Sequence, residues 1–282
     1  MTSVQLPTCV RRILAPNAGL MTGTGTNTYV FGVGERTVLD PGPEDAGHLE
    51  AILQAGEGAI RWVVVTHTHR DHSPLAAQLA KRTGARLIGL PPPQDGRQDE
   101  TFSPDHVPRD GERLSLGDIG LTAIHTPGHA SNCVCYLLEG ERLLFTGDHV
   151  LDGVSPVILA PDGDMSAYMD SLEKLGAYDF ERIAPGHGGV MQRGKRVLSQ
   201  LRAHRVAREN KVLATLAACA AATAAAATAA AATLEGLTPL VYDDVSPERH
   251  PWARLTLEAH LIKLAREGRA IEVEGGWRIG GV

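Results

Sequence analysis

The residues best suited to chemistry are crowded into one short stretch, His67-Thr68-His69-Arg70-Asp71-His72. Three imidazoles and a carboxylate within six residues suit zinc or another borderline divalent metal, which takes nitrogen and oxygen ligands of this kind. His67 and His69 share parity, so in an extended segment their rings point the same way. Asp71 and His72 lie just past the turn that follows. Three further candidates stand apart in sequence, each beside small residues. His129 sits in Thr126-Pro127-Gly128-His129, Asp148 in Thr146-Gly147-Asp148, and His187 in Pro185-Gly186-His187-Gly188. Glycine there allows the backbone to approach a compact site closely. Six ligand-type residues and one aspartate to bridge match the needs of two metal ions, which activate water without a Ser-His-Asp arrangement. The sequence has no G-x-S-x-G elbow.

The elements that must position these groups can be read around them. Thr28–Gly32 and Arg36–Leu39 read as a hairpin, broken by Asp40-Pro41-Gly42. The β-branched run Arg61–Thr66 is the pattern of a buried strand, and it delivers the histidine cluster. Ser73 is expected to cap the next helix, with Pro74 at its first position and Leu75, Leu79 and Ala80 on its apolar face. Residues 91–113 read as a long loop, a frequent carrier of function. Strands and turns then alternate over 112–150, followed by a helix over Met165–Gly176 with Tyr168, Leu172 and Leu175 on one face. A short strand, Arg182–Ala184, leads into His187. From Lys195 a long helical run carries Arg196, Arg202, Arg205, Arg208 and Lys211, and passes into an Ala/Thr tract over 214–233. Alanine favours a helical extension there, while the low complexity equally permits a frayed segment. Leu234–Tyr242, the amphipathic Trp252–Glu267 and a hairpin over Ala270–Ile279 complete the order of a winged helix. The expected divisions are 1–194, 195–233 and 234–282.

The H-x-H-x-D-H run at His67, His69, Asp71 and His72, followed in order by His129, Asp148 and His187, resembles the metallo-β-lactamase superfamily. The resemblance implies an α+β fold, a four-layer αβ/βα sandwich with the site at one sheet edge between its halves, followed by the small winged-helix-like domain. It implies that His67, His69 and His129 hold one metal, that Asp71, His72 and His187 hold a second, and that Asp148 bridges both. Zinc is the default, with iron or manganese as alternatives. Asp148 and Asp71 would be the catalytic pair, Asp71 orienting the hydroxide between the metals. Aspartate at 71, where dinuclear β-lactamases carry cysteine, is similar to the glyoxalase II, ribonuclease and thioesterase branches. Asp40 resembles the acidic residue that backs a ligating histidine, and reads equally well as a turn-former before proline. Cys133 stands where several relatives have a histidine, leaving Asn132 as a substitute polar contact. Cys133 and Cys135 read as small buried hydrophobes. Thr24–Tyr29, the 66–72 run and the His204-Arg205 helix entering a winged module most resemble the β-lactamase-like protein two family. That family includes a single-strand-specific endoribonuclease, and its fungal relatives act as polyketide thioesterases.

Composition narrows the partners. The chain has 282 residues, 43% hydrophobic and 21% charged, with a net charge of −6, which suits a globular protein and opposes a dedicated duplex-DNA binder. Four cysteines, Cys9, Cys133, Cys135 and Cys219, form no C-x-x-C pair and no disulfide framework. No secretory h-region and no membrane span is read, so a cytoplasmic location is expected. The expected function is a dinuclear hydrolase using a metal-bridging hydroxide on an ester, thioester or phosphodiester. Its partner is a small acyl substrate or single-stranded RNA, and no membrane. RNA predicts a phosphate-contacting stripe on the Lys195–Lys211 helix and steep salt dependence, whereas a thioester predicts apolar walls. The alternative is a non-catalytic regulator binding DNA through Arg254, Lys263 and Arg266 of the winged helix. Of the remaining histidines, His125 and His149 are candidates for the pocket lining, whereas His48, His106, His204, His250 and His260 read as ordinary.

Overall fold

The computed structural model describes residues 5–225 and 231–280. The chain opens with five strands that form one sheet in sequence order: β1 (Val10–Leu14), β2 (Asn27–Phe31), β3 (Arg36–Leu39), β4 (Ile60–Val64) and β5 (Arg86–Ile88). β1, β2 and β3 pair antiparallel, while β3–β4 and β4–β5 are parallel. Parallel neighbours need crossovers, and α1 (Ala46–Gly56) and α2 (Leu75–Thr83) supply them. The second sheet holds β6 (Arg113–Leu116), β7 (Ile119–His125), β8 (Val134–Leu138), β9 (Leu143–Gly147) and β10 (Arg182–Pro185), in the order β10-β9-β8-β7-β6. Its one parallel pair, β9–β10, is crossed by α3 (Met165–Leu175).

Side-chain alternation builds the layers. Every residue of β2 and β9 is buried, because both faces of each sheet are covered. Tyr29 and Phe31 point between the sheets, each with its ring centroid 5.0 Å from that of Phe145. Val30, of opposite parity, joins Leu49 and Ile52 of α1 and Leu75 and Leu79 of α2. On the second sheet Ala123, Tyr136 and Phe145 face inward, while Ile124, Cys135 and Leu144 pack on Tyr168, Leu172 and Leu175 of α3. The result is the αβ/βα sandwich of an α+β protein.

The C-terminal part adds α4 (Gly194–Ala225), α5 (Leu234–Val241), a 3-10 turn at Pro247–Arg249, α6 (His250–Arg266) and the hairpin β11 (Ala270–Val273) and β12 (Gly276–Ile279). α4 serves two cores. Its Leu198 packs with the α3 layer, and its Val212 and Leu216 pack with Leu237, Leu257, Leu261 and Trp277. The Ala/Thr tract is helical to Ala225, and Ala232 bridges to Trp277. The part of that tract at 226–230 lies outside the described residues.

The start of α2 differs from expectation. Ser73 does not cap it, since its buried hydroxyl donates to Asp99 Oδ2 at 2.6 Å and no side chain caps the helix. A hydrogen bond to a carboxylate outweighs a neutral cap bond, and this one ties the long loop to the histidine segment.

Candidate metal centre

Every ligand-type residue follows the C-terminal end of a strand. His67 comes after β4, His129 after β7, Asp148 after β9 and His187 after β10. Two glycines set how closely these ends approach. A Cβ on Gly186 would sit 2.5 Å from Asp148 Oδ1 and 2.7 Å from His72 Cε1. Gly147 takes φ +48°, and a Cβ there would meet Thr66 Oγ1 at 2.3 Å. Larger residues at either place would push the ligands apart.

The structure gathers all seven predicted residues into overlapping triads: His67, His69 and His129; His67, His72 and Asp148; Asp71, His72 and His187. Within each triad the potential ligand atoms lie within 4.8 Å of one another. His69 Nδ1 is 2.9 Å from His67 Nε2 and 3.0 Å from His129 Nε2. Asp71 Oδ2 is 3.1 Å from His187 Nε2 and 3.4 Å from His72 Nε2. Asp148 lies between the groups, Oδ1 3.4 Å from His72 Nε2, and Oδ2 3.4 Å from His187 Nε2 and 3.8 Å from His129 Nε2.

The other ring nitrogens are held from behind. His129 Nδ1 donates to Val157 O at 2.7 Å and His187 Nδ1 to Gly25 O at 3.2 Å. His67 Nδ1 meets Thr66 Oγ1 at 3.1 Å. Asp40 is the hub: buried, at φ +50°, its Oδ1 accepts from Thr66 N and its Oδ2 from Thr66 Oγ1, both at 2.7 Å. Oδ2 also takes His72 Nδ1 at 3.0 Å, which turns Nε2 toward the cluster. Such contacts fix tautomer and ring orientation. Asp40 therefore does what the resemblance implies, beyond forming a turn.

Electrostatics divide the cluster. Burial pushes Asp148 up, but the His187 and His72 rings outweigh it and hold its carboxyl well below the usual range. Asp71 is likewise held low against burial by His72 and His187. In turn, Asp71 and Asp148 lift His72 well above its ordinary value, and Asp148 leads in raising His187 to about 10. Burial, with neighbouring imidazoles, lowers His67 strongly and His69 to about 3. Neutral imidazoles and ionised carboxylates are the donor set a divalent cation requires. His72 Nε2 and Asp148 Oδ1 are buried 3.4 Å apart and make no closer hydrogen bond among the described residues, an arrangement that a cation held by both would satisfy. The residues present fit divalent metal.

A cavity of about 810 Å³ opens from this cluster toward α4 and α6. Leu20, Met21, Leu151, Val157, Leu159 and Trp252 are among its apolar walls. The long loop contributes Asp95 and Arg97 to the lining, and its Gln98 accepts from Thr68 Oγ1 at 2.6 Å. His125 and His149 do not line this cavity. His125 Nε2 contacts Ser131 O, and buried His149 packs at a tilt against the Tyr168 ring. Asn132 Nδ2 donates to Thr68 Oγ1 and Pro91 O, its Oδ1 is buried, and the residue does not line the cavity. His204, Arg205 and Arg208 do line the cavity, a role that nothing in the sequence signals for His204.

The expected phosphate stripe is largely consumed internally. On α4, Arg202 approaches Glu173, Arg208 pairs with Asp244 and Lys211 with Asp243, while Arg205 is buried. On α6, Arg254 pairs with Glu235, Lys263 with Glu209 and Glu267, and Arg266 with Asp164.

Comparison with known proteins agrees with this fold and geometry. Residues 21–187 match the metallo-beta-lactamase superfamily model, and residues 233–277 match the beta-lactamase associated winged helix domain. The chain belongs to the metallo-beta-lactamase superfamily of hydrolases. It is 30% identical over 285 residues to a beta-lactamase-like protein 2 homolog of Drosophila melanogaster, covering 94% of this chain and 90% of that protein. It is 33% identical to thioesterase pkgB of Emericella nidulans, over 74% of this chain but only 59% of the relative's length. The crystal structure of a metallo-beta-lactamase family protein from Thermus thermophilus superposes with a TM-score of 0.77 at 22% identity, covering 99% of this chain and 100% of that one. No helix among the described residues is long and apolar enough to cross a membrane.

Proposed function

We propose that the chain is a dinuclear metal-dependent hydrolase of acyl esters or thioesters. His67, His69 and His129 hold one divalent cation, Asp71, His72 and His187 hold the second, and Asp148 lies between both. Bound cations there supply Lewis acidity for the attacked carbonyl and make water nucleophilic near neutral pH. The protein's own groups do the positioning. Asp40 holds the His72 tautomer, and Val157 O and Gly25 O hold those of His129 and His187. The Asp71 carboxylate, kept ionised, accepts a hydrogen bond from the attacking water and fixes its direction. Leu151, Val157, Leu159 and Trp252 exclude bulk water from the acyl chain.

The apolar cavity carries the choice of acyl substrate over RNA. It opens directly on the metal cluster, and most of the α4 and α6 cations that would track a phosphate backbone are paired within the protein. The thioesterase name of the Emericella nidulans relative supports the same reading. The test is hydrolysis of an acyl thioester and cleavage of labelled single-stranded RNA by metal-loaded protein, each beside Asp148→Ala. Thioester turnover that the variant loses, with RNA intact, is expected. RNA cleavage lost in the variant, without thioester turnover, overturns the substrate assignment.

A further inference from the structure

A second part of the cavity wall lies beyond the Pro156-Val157 segment, whose Val157 O holds His129 and whose Pro156 O holds Arg205. There, α4 and the C-terminal module present His204, Arg205, Arg208, Tyr242 and Arg249. Two of these hold polar atoms without a hydrogen-bond partner among the described residues. Arg205 is only 3% exposed, and its Nε is buried without a partner. Its guanidinium donates to Pro156 O and lies 5.1 Å over the Tyr168 ring, and no carboxylate pairs with it among the described residues. Tyr242 is 6% exposed, and its Oη is likewise buried and unpartnered. A buried guanidinium without a counter-charge, beside an orphaned hydroxyl, is costly unless a ligand supplies acceptors. The local charge agrees. Asp244 offsets Arg208, while Arg249 at the rim makes no salt bridge among the described residues. Apolar groups line the same cavity, among them Leu151, Val157, Val245 and Leu255.

We infer that this part of the wall is an anion subsite, and that the substrate is an acyl compound with an apolar middle and a carboxylate or phosphate at its far end. Arg205 Nε and Tyr242 Oη donate to the anion's oxygens, and Arg249 closes over it from the rim. The C-terminal helices thereby set specificity. This rests on the acyl-hydrolase reading of the metal end, but its test does not depend on turnover.

The experiment is calorimetric titration of the metal-loaded protein with octanoate, with suberate and with 8-phosphonooctanoate. All three have eight carbons and can set a carboxylate at the metals; because either end of suberate or the phosphonate can also face the metals, the Tyr242 variant decides whether a difference arises at the far end. Suberate or the phosphonate is expected to bind at least about 10-fold tighter than octanoate, the worth of one or two charge-assisted hydrogen bonds. The tighter of the two identifies a carboxylate or a phosphate as the natural terminus. Tyr242→Phe keeps the ring over Arg208, 4.3 Å from it, and removes only the hydroxyl, so it is the deciding variant. It should shrink that preference about 3- to 10-fold. Arg249→Gln should shrink it too, and Arg205→Gln should abolish it. Equal binding of all three compounds, or a preference unchanged in Tyr242→Phe, overturns the inference. A preference that stands while no ester or thioester is hydrolysed overturns the proposed reaction and leaves the subsite intact.

Discussion

Asp40→Asn separates the support of a ligand from the ligand itself. The substitution is isosteric, and the retained Oδ1 still accepts from Thr66 N. The new amide nitrogen, however, faces His72 Nδ1 at 3.0 Å. Two donors cannot meet there, so the ring must present Nδ1 as an acceptor and carry its hydrogen on Nε2. That atom lies 3.4 Å from both Asp71 and Asp148, where a cation needs a lone pair. Loss of such a backing group typically costs 10- to 100-fold in metal affinity, or about 1.4–2.7 kcal/mol. The fold loses roughly one charge-assisted hydrogen bond, about 1.5–3 kcal/mol, for a Tm drop of roughly 3–12 °C. The assay is zinc competition against a chromophoric chelator, with thermal unfolding of the metal-free protein alongside. One of two zinc equivalents should weaken while the other keeps its affinity. Wild-type affinity within twofold for both equivalents would refute the tautomer argument.

Three further outcomes are expected. At pH 7 the metal-free protein carries protons on His72 and His187, both raised by Asp71 and Asp148, so zinc binding should release about two protons and weaken as pH falls. Calorimetry in buffers of different ionisation enthalpy measures this, and no net release would contradict it. His260 is buried with both ring nitrogens unpartnered among the described residues, and burial with Arg205, Lys263, Arg208 and His204 holds it well below its ordinary value. Its contribution is therefore complete above about pH 6.5, its unfolded value, and is lost as pH falls; denaturant titrations from pH 8 to 5 should show an acid-side loss that is smaller in His260→Gln. Phe145→Ala removes the ring that Tyr29 and Phe31 pack against and should cost about 3–5 kcal/mol by urea unfolding, with metal stoichiometry unchanged.

The candidate metal cluster was legible because its signals are local. His67 to His72 are contiguous, and each remote candidate ligand sits beside glycine at a strand end. The β2–β3 hairpin and the β-branched run of β4 were legible, as were α6 and its hairpin from periodicity and the Gly-Gly turn, whereas β1 was not. Long-range pairing was not. Arg208 reads as a free cation until Asp244 is brought to it at 2.7 Å, and Arg205 until α4 is laid against Pro156 and Tyr168. Ser73 reads as a cap because nothing near it in sequence announces Asp99. Asn132 resembles a substrate contact until Thr68 takes its amide. The anion subsite joins residues 205, 242 and 249 across three elements, and no linear pattern marks it.

α4 turns the two halves of the molecule into a geared pair. From Leu198 in one core to Leu216 in the other is about 27 Å of continuous helix, and each residue advances the phase by about 100°. One residue inserted between them would swing the C-terminal helices about a quarter-turn around the shaft and carry Trp252, Tyr242 and Arg249 off the cavity. Seven residues, nearly two full turns, would restore the angle within about 20° but lift those walls by about 10 Å. Neither spacing nor phase can drift alone, so lineages of this protein should tolerate length changes in the Ala/Thr tract beyond Leu216 and resist them between the cores.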